Sequence, residues 1–547
     1  MQGAARGRKK NGAFSMKKAM KKLMAALLAV AMVCAMAIPA FAAGTGSNTL
    51  TINGKTAGHT YEAYQVFTGD LKGKVLSNID WGNGVIGDDI RNDPDLPSSL
   101  KGLSSAAALA AELAKLSPSS DDVNTFAEVV SKHLTANKYT STEAGMTYTI
   151  NNLLDGYYFI KDATASASMP AGATYSRYML NIVQSLTIEA KDTTVTLDKQ
   201  IRHNETGDWG VVGDNQIGDT VEFRTITTVP DTTGYTDYTY EIHDTMSPEL
   251  TSKVKTDSDI TIKVNDTTVL NSTYYSVTVD STNSNKFTVS VDIIQAIKDN
   301  KFAVGNTLYT YYDGVLNENA KVYPDGPQQN EAHLVYSNNP NDVGTGETPK
   351  KTVYDWTFKV DMTKVDGANP DMKLEGAVFV LSKANGLDLE PGKDGTPTKN
   401  LDKLIKLVDN NNGTYTVATT TTTTATTYTM TTPASGQISI KGLDDQTKYY
   451  LYETKAPGGY NVLTTPVEIK IIDNTYDITG NYIATQPNVV VNGSNACSGV
   501  GFNVENNAGT TLPGTGGIGT TIFYVIGGGL MVAAAILLIT KKRMENR

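Results

Sequence analysis

Strict alternation of apolar and polar residues recurs through the middle of this chain and restricts most of it to strands. In TVTLDKQI, Val195, Leu197, Lys199 and Ile201 share one face; in YTYEIHD, Tyr238, Tyr240, Ile242 and Asp244 do. The same period of two runs through FKVDMTKVDG, YYLYETK and GFNVENN. Successive side chains of a strand point to opposite faces, so each segment can bury one row and wet the other. Thr, Asn, Asp, Gly and Tyr are abundant, which suits strands joined by turns. The expected fold is mainly β, built from tandem sandwich domains. One stretch departs from this pattern. Between Ser104 and Leu134, SSAAALAAELAKL and SDDVNTFAEVVSKHL each open on Ser or Asp in a capping position, which predicts two helices in or on the first domain.

Neither end reads as domain material. The first residues are basic and lack acids; an apolar run from Leu23 to Ile38 follows, then small residues at Ala40 and Ala42. That order predicts a secretory signal peptide over residues 1–42, cleaved between Ala42 and Ala43. Met16 can serve as the start, since MKKAMKKLMAALL is itself a complete basic-then-apolar leader. Ala31, Met32 and Val33 before Cys34 do not make a lipoprotein signal. At the other end, Thr521 to Thr540 is apolar and uncharged, about the twenty residues a bilayer requires. Lys541, Lys542 and Arg543 follow at once and place the tail, residues 541–547, in the cytoplasm. Just before the span stands Leu512-Pro513-Gly514-Thr515-Gly516. Pentapeptide, apolar span and basic tail in that order resemble the sorting signal of Gram-positive surface proteins that sortase attaches to peptidoglycan. The resemblance implies cleavage between Thr515 and Gly516, with the Thr515 carbonyl passed to an amine through an enzyme thioester.

With both ends removed, 35 basic and 56 acidic residues remain, a net charge near −21. Such a surface is soluble and disfavours nucleic acid. Cys34 leaves with the signal peptide and Cys497 remains alone, so no intramolecular disulfide can form. An extracellular chain of this size then relies on its cores or on another crosslink. Five scattered histidines make no metal-ligand cluster. No segment offers a cofactor loop or the nucleophile of a hydrolase, so neither a metal, a cofactor nor turnover of an external substrate is expected.

A chain of 547 residues has room for three or four domains. Places where an extended strand restarts after a loop divide it into an N-terminal domain over 43–191, a middle domain over 192–346 and a C-terminal domain over 352–509. TGETPKK, around Thr345 to Lys351, is the expected linker. The run Thr419 to Thr424 reads as a loop or an edge strand inside the third domain.

Three strands of the C-terminal domain each turn one polar residue toward an apolar face. Phe358, Val360 and Met362 share a face with Lys364; Tyr449 and Leu451 with Glu453; Phe502 and Val504 with Asn506. Buried separately, each polar group costs several kcal/mol. Buried together, they can react. Desolvation lowers the lysine pKa and raises that of the glutamate, so both can be neutral. A neutral amine is a nucleophile, and a protonated carboxyl can shuttle protons. The product is a Lys–Asn isopeptide bond with loss of ammonia. Alternation alone also fits a buried Lys–Glu ion pair beside a hydrogen-bonded Asn.

KVDGANPDMKLEGAVFVL, YYLYETKAPGGY and the final VEN resemble the collagen-adhesin B-type domain of Gram-positive pilins, an immunoglobulin-like sandwich. The resemblance implies a Lys364–Asn506 bond promoted by Glu453. The middle domain repeats the pattern with Lys199, Asp244 and Asn338, the last sharing a face with Ala332, Leu334 and Tyr336. This resembles the A-type domain of major pilins, where the acid is an aspartate. It implies a Lys199–Asn338 bond; only parity argues against the adjacent Asn339. In the first domain, LLDGYYFIKD is similar to an acid-bearing strand with Lys161 and Asp162, but no trio can be assembled there, and no bond is expected.

Shaft pilins also need a lysine that attacks the thioester on an incoming subunit. In the family it stands at the end of the first domain, just before the next bonding lysine. LTIEAKDTTVTLDKQ offers Lys191 at that place, without the usual tyrosine-proline-lysine wording. Resemblance to major pilins thus implies a covalent homopolymer joined from Lys191 to Thr515 of the neighbouring subunit. Its implied partners are sortase, further copies of this chain, ancillary pilins, peptidoglycan and a host ligand that the sequence does not identify. The competing reading is an ancillary pilin or a monomeric wall-anchored adhesin.

Overall fold

The computed structural model describes residues 46–510 and 519–546, except 119, 166, 167, 170, 191–193, 341–343, 474–478, 481–485 and 498. The expected signal peptide with Ala42 and Ala43, Lys191, and the pentapeptide from Leu512 through Pro513, Gly514 and Thr515 to Gly516 lie outside the described residues. The described chain is mostly β, arranged as three successive pairs of sheets.

The first pair comprises a four-stranded and a five-stranded sheet. Strand Tyr61–Lys72 begins with seven buried residues in a row, because both of its faces are covered. Tyr61 and Ala63 pack between the sheets with Leu50, Ile52, Tyr148 and Ile160. Tyr64, Val66 and Phe67 pack instead with Leu109, Phe126 and Val130 of the helices. Those helices, Ala106–Leu113 and Asp121–Lys132, begin where the capping serines predict. Ser105 Oγ accepts from Ala108 N–H at 3.2 Å and Ser120 Oγ from Val123 N–H at 3.4 Å. A shorter helix, Gly87–Asn92, was not visible in the periodicity.

The second pair comprises two seven-stranded sheets. Strand Leu197–Arg202 lies in one and pairs antiparallel with Thr220–Thr228. Strands Tyr240–Met246 and Gln328–Ser337 lie side by side in the other. This second sheet also takes in Thr345–Glu347 and Lys351–Trp356, both antiparallel to Gln328–Ser337. The TGETPKK segment is therefore not a linker. It lies within the second sandwich, which continues to Trp356, past the expected start of the third domain at 352.

The third pair comprises two six-stranded sheets beginning at Phe358. Strand Phe358–Asp366 pairs parallel with Gly501–Asn506, in register from Asp361 with Gly501 to Asp366 with Asn506. Strand Lys448–Lys455 lies in the opposite sheet. The threonine run from 419 to 424 is a loop between strands Thr414–Val417 and Thr426–Thr427. Second and third sandwiches share one continuous core. At their junction Ile217 N–H donates to Gly442 O at 3.0 Å. A Cβ on Gly442 would stand 2.4 Å from the Ile217 side chain, and its φ of +86° already requires glycine. Beyond the sandwiches, helix Gly519–Glu545 carries the apolar span.

Candidate functional site

The third sandwich brings Lys364, Glu453 and Asn506 together. Alternation along Phe358–Asp366 turns the Lys364 side chain into the core, where it is fully buried. Its pairing partner Val504 lies two residues before Asn506 on the neighbouring parallel strand. Lys364 Nζ donates to Val504 O at 3.0 Å. Glu453 comes across the sandwich from the opposite sheet. Asn506 Nδ2 donates to both of its carboxylate oxygens, each at 3.0 Å, and to Asn461 O at 2.8 Å. Leu463 N–H also donates to Glu453, at 2.8 Å. Asn506 Oδ1 is buried and has no partner among the described residues. Burial lowers the Lys364 amine to about 8, against the opposing pull of the Glu453 and Glu505 charges. Burial pushes the Glu453 carboxyl up, opposed by its hydrogen bonds and by Lys364. Both shifts move the pair toward an uncharged amine beside a protonated acid.

The second sandwich holds Lys199 and Asp244 in the same way, one from each sheet and both nearly fully buried. Lys199 Nζ donates to Asp244 Oδ2 and to Tyr312 OH, and the Tyr312 hydroxyl donates to the same carboxylate oxygen. Burial pushes the amine down and the carboxyl up, each against the attraction of its partner.

Asn338 is not at this site. Asp244 pairs with Ala332, and Met246 pairs with Asn330. Asn338 lies six residues beyond Ala332, about 20 Å along an extended chain. It sits at the junction with the first sandwich, where its carbonyl accepts from Tyr175 N–H at 2.6 Å. The amide beside Asp244 is Asn330, which is 1% exposed. Asn330 favours the ionised form of both Asp244 and Tyr312. Neither of its polar side-chain atoms has a hydrogen-bond partner within normal geometry, nor does Asp244 Oδ1. Unsatisfied groups in so dry a place cost about 1–3 kcal/mol each. Asn330 and Asn338 have the same parity, so the alternation could not choose between them. The signal that separates them is interstrand register.

In the first sandwich, Asp162 is buried against His59, with His59 Nδ1 2.6 Å from Asp162 Oδ2. Thr56 Oγ1 stands 2.7 Å from His59 Nε2. Asp162 also accepts from Thr164 N–H at 3.0 Å. A histidine thus occupies the acid that sequence reasoning could not pair. Lys161 lies over the Tyr64 ring, 5.7 Å from its centre.

Comparison with known proteins matches residues 358–483 to the SpaA prealbumin-like fold domain and residues 504–546 to the LPXTG cell wall anchor motif. No curated protein matches the chain. Among solved structures, the T6 backbone pilin of serotype M6 Streptococcus pyogenes is similar at 17% identity. That match covers 87% of this chain and 100% of that one, with a TM-score of 0.50. The full-length major pilin SpaD of Corynebacterium diphtheriae is also 17% identical, over 85% of this chain and 98% of that one, with a TM-score of 0.46. The T6 pilin is described as a modular three-domain structure, and the three sheet pairs here have the same fold. The chain is therefore a cell-wall-anchored LPXTG surface protein with a membrane-bound precursor, carrying a SpaA prealbumin-like domain on the fold of a Gram-positive backbone pilin.

Proposed function

We propose that this chain is the shaft subunit of a covalently polymerised pilus, hardened by a Lys–Asn isopeptide bond in each of its second and third sandwiches. The observation that carries this reading is the buried grouping of Lys364, Glu453 and Asn506. In the third sandwich Lys364 Nζ attacks Asn506 Cγ. Protonated Glu453 relays protons as the tetrahedral carbon collapses, and Nδ2 leaves as ammonia. One amine and one primary amide become one secondary amide and ammonia, Glu453 is regenerated, and Lys364 ceases to be a buried ionisable group. In the second sandwich Lys199 attacks Asn330 with Asp244 as the proton relay; register favours Asn330 over Asn338. A structural chain bearing load gains from such bonds because sandwiches under tension otherwise open at their ordinary unfolding rates.

Sortase joins Thr515 of one subunit to Lys191 of the next and finally to peptidoglycan. Lys191 follows Ala190, whose N–H donates to Asn53 O at 2.7 Å. In sequence, Lys191 thus falls between the last residue tied to the first sandwich and strand Leu197–Arg202. The domain limits that follow are a cleaved leader over 1–42, sandwiches over 43–191, 192–356 and 358–509, and a sorting region from 512. Ancillary pilins and a host ligand complete the proposed partners.

The test is expression of Lys191→Arg in the native host with wall extracts resolved by denaturing electrophoresis. Wild type gives a ladder of covalent multimers and the variant gives wall-linked monomer. A ladder that survives the substitution removes Lys191 from the linkage, and a wild type without a ladder removes the shaft reading.

A further inference from the structure

The junction between the second and third sandwiches holds four carboxylates from distant parts of the sequence. Glu205 lies in the turn after strand Leu197–Arg202, and Asp214 ends strand Val212–Asp214. Asp444 and Asp445 follow strand Gln437–Leu443 of the third sandwich. One oxygen from each of the four lies within 4.8 Å of the others. Asp214, Asp444 and Asp445 are only 5%, 3% and 4% exposed.

The three aspartates are oriented alike. Asp444 Oδ2 accepts from Asn204 Nδ2 at 2.9 Å and from Thr447 Oγ1 at 3.0 Å. Asp445 Oδ2 accepts from Asp473 N–H at 3.2 Å. Asp214 Oδ2 lies 3.3 Å from His203 Nε2. In each case the other oxygen, Oδ1, is buried with no partner among the described residues. Each aspartate is thus held by one oxygen, and apart from one another's carboxyls the second oxygens have no donor. No lysine or arginine forms an ion pair with any of the four among the described residues; Lys383 and Lys470 act on Asp444 and Glu205 only at longer range. Burial and the neighbouring aspartates push Glu205 up to about 8; burial, a hydrogen bond to Asp214 and the charges of Asp214 and Asp444 push Asp445 up to about 10. His203, 3.5 Å from Glu205 and 3.3 Å from Asp214, is the one neighbour within ion-pair distance among the described residues that can carry positive charge.

We propose that Glu205, Asp214, Asp444 and Asp445 bind one divalent cation of the calcium class, which clamps the second sandwich to the third. Calcium accepts six to eight oxygen ligands, with carboxylates in one- or two-oxygen modes and irregular geometry. Magnesium requires a near-ideal octahedron and keeps several waters, which suits a buried junction poorly. A bound dication supplies the partner that three Oδ1 atoms lack and offsets repulsion between charges contributed by both sandwiches. Sequence inspection could not reveal the site, because its ligands come from 205, 214, 444 and 445 and meet only through domain packing. The site is separate from both lysine groupings and does not rest on the pilus reading.

The test is calorimetric titration of CaCl2 into the chelator-treated full chain in detergent, with MgCl2 and ZnCl2 as comparators. Expected is one calcium per chain, weaker magnesium binding, and loss of the calcium heat in Asp214→Asn/Asp445→Asn. Limited proteolysis of wild type supplies a readout that does not depend on a variant folding. Calcium slows cleavage within 203–219 and 442–447 by about tenfold relative to chelator, as binding to the folded junction requires. Absence of calcium heat, unchanged binding in the double variant, a preference for zinc, or equal cleavage with and without calcium each overturns the proposal.

Discussion

Asn506 Nδ2 stands 3.0 Å from each carboxylate oxygen of Glu453. In the proposed reaction, the nitrogen that leaves as ammonia therefore touches the group that can protonate it. Glutamine at 453 keeps the shape and loses the titratable proton. Wild type, with both crosslinks, is expected at the sequence mass less two ammonia molecules. Glu453→Gln is expected at its own sequence mass less one. Intact-mass spectrometry of the purified chain decides this, and a variant still lacking two ammonia molecules would remove Glu453 from the reaction.

Register between Tyr240–Met246 and Gln328–Ser337 places Asn330, not Asn338, beside Asp244. Asn330→Ala is therefore expected to restore one ammonia to the mass. Asn338→Ala makes the same atomic change about 27 Å further along the chain and is expected to leave both crosslinks intact. Peptide mapping should recover a branched peptide joining Lys199 to Asn330. Recovery of Lys199 joined to Asn338 would mean that the register observed here shifts before the bond forms.

These two sandwiches show what alternation in a sequence can and cannot reveal. In the third, alternation turns Lys364, Glu453 and Asn506 each onto an apolar face, so parity brings these three forward, although Asp366 shares the parity of Lys364. In the second, parity admits both Asn330 and Asn338, and the choice depends on how two strands slide against each other. That strand Lys351–Trp356 joins the second sandwich and not the third is illegible for a similar reason: a restarting strand does not announce which sheet it joins. The double-sided burial of Tyr61–Lys72 and the His59–Asp162 pair depend on tertiary packing and left no local signal. The helices with serine caps were legible because capping is local.

Lys364→Met tests the crosslink as a source of stability. Methionine fills the apolar part of the lysine space without an amine, and replacing a buried charged group by a well-packed apolar one is often neutral in itself. What is lost is a covalent link closing a loop of well over one hundred residues. The chain-entropy relation for such a loop gives about 5 kcal/mol. The third sandwich of the variant should therefore unfold in guanidinium at a clearly lower midpoint than wild type. Equal midpoints would show that the link is absent or carries no stability.

The buried amine also sets a pH dependence that appears only when the crosslink cannot form. In Asn506→Ala, Lys364 remains an amine inside the core, with its pKa held near 8 by burial, below the ordinary 10.5. Between these values the unfolded chain binds more protons than the folded one, so stability rises with pH across that window. Below pH 8 the amine is protonated in both states and the full penalty applies. A depression of this size corresponds to about 3 kcal/mol. Glu453 acts in the opposite sense at lower pH, since its raised pKa gives stability that is lost as pH rises through it. The reference is Lys364→Met/Asn506→Ala, which shares every other titrating group and lacks only the buried amine. Urea unfolding from pH 7 to pH 10.5 should show Asn506→Ala gaining on this reference as the pH rises. Parallel profiles would show that Lys364 is not held neutral by its surroundings, and the nucleophile required for the crosslink would be missing.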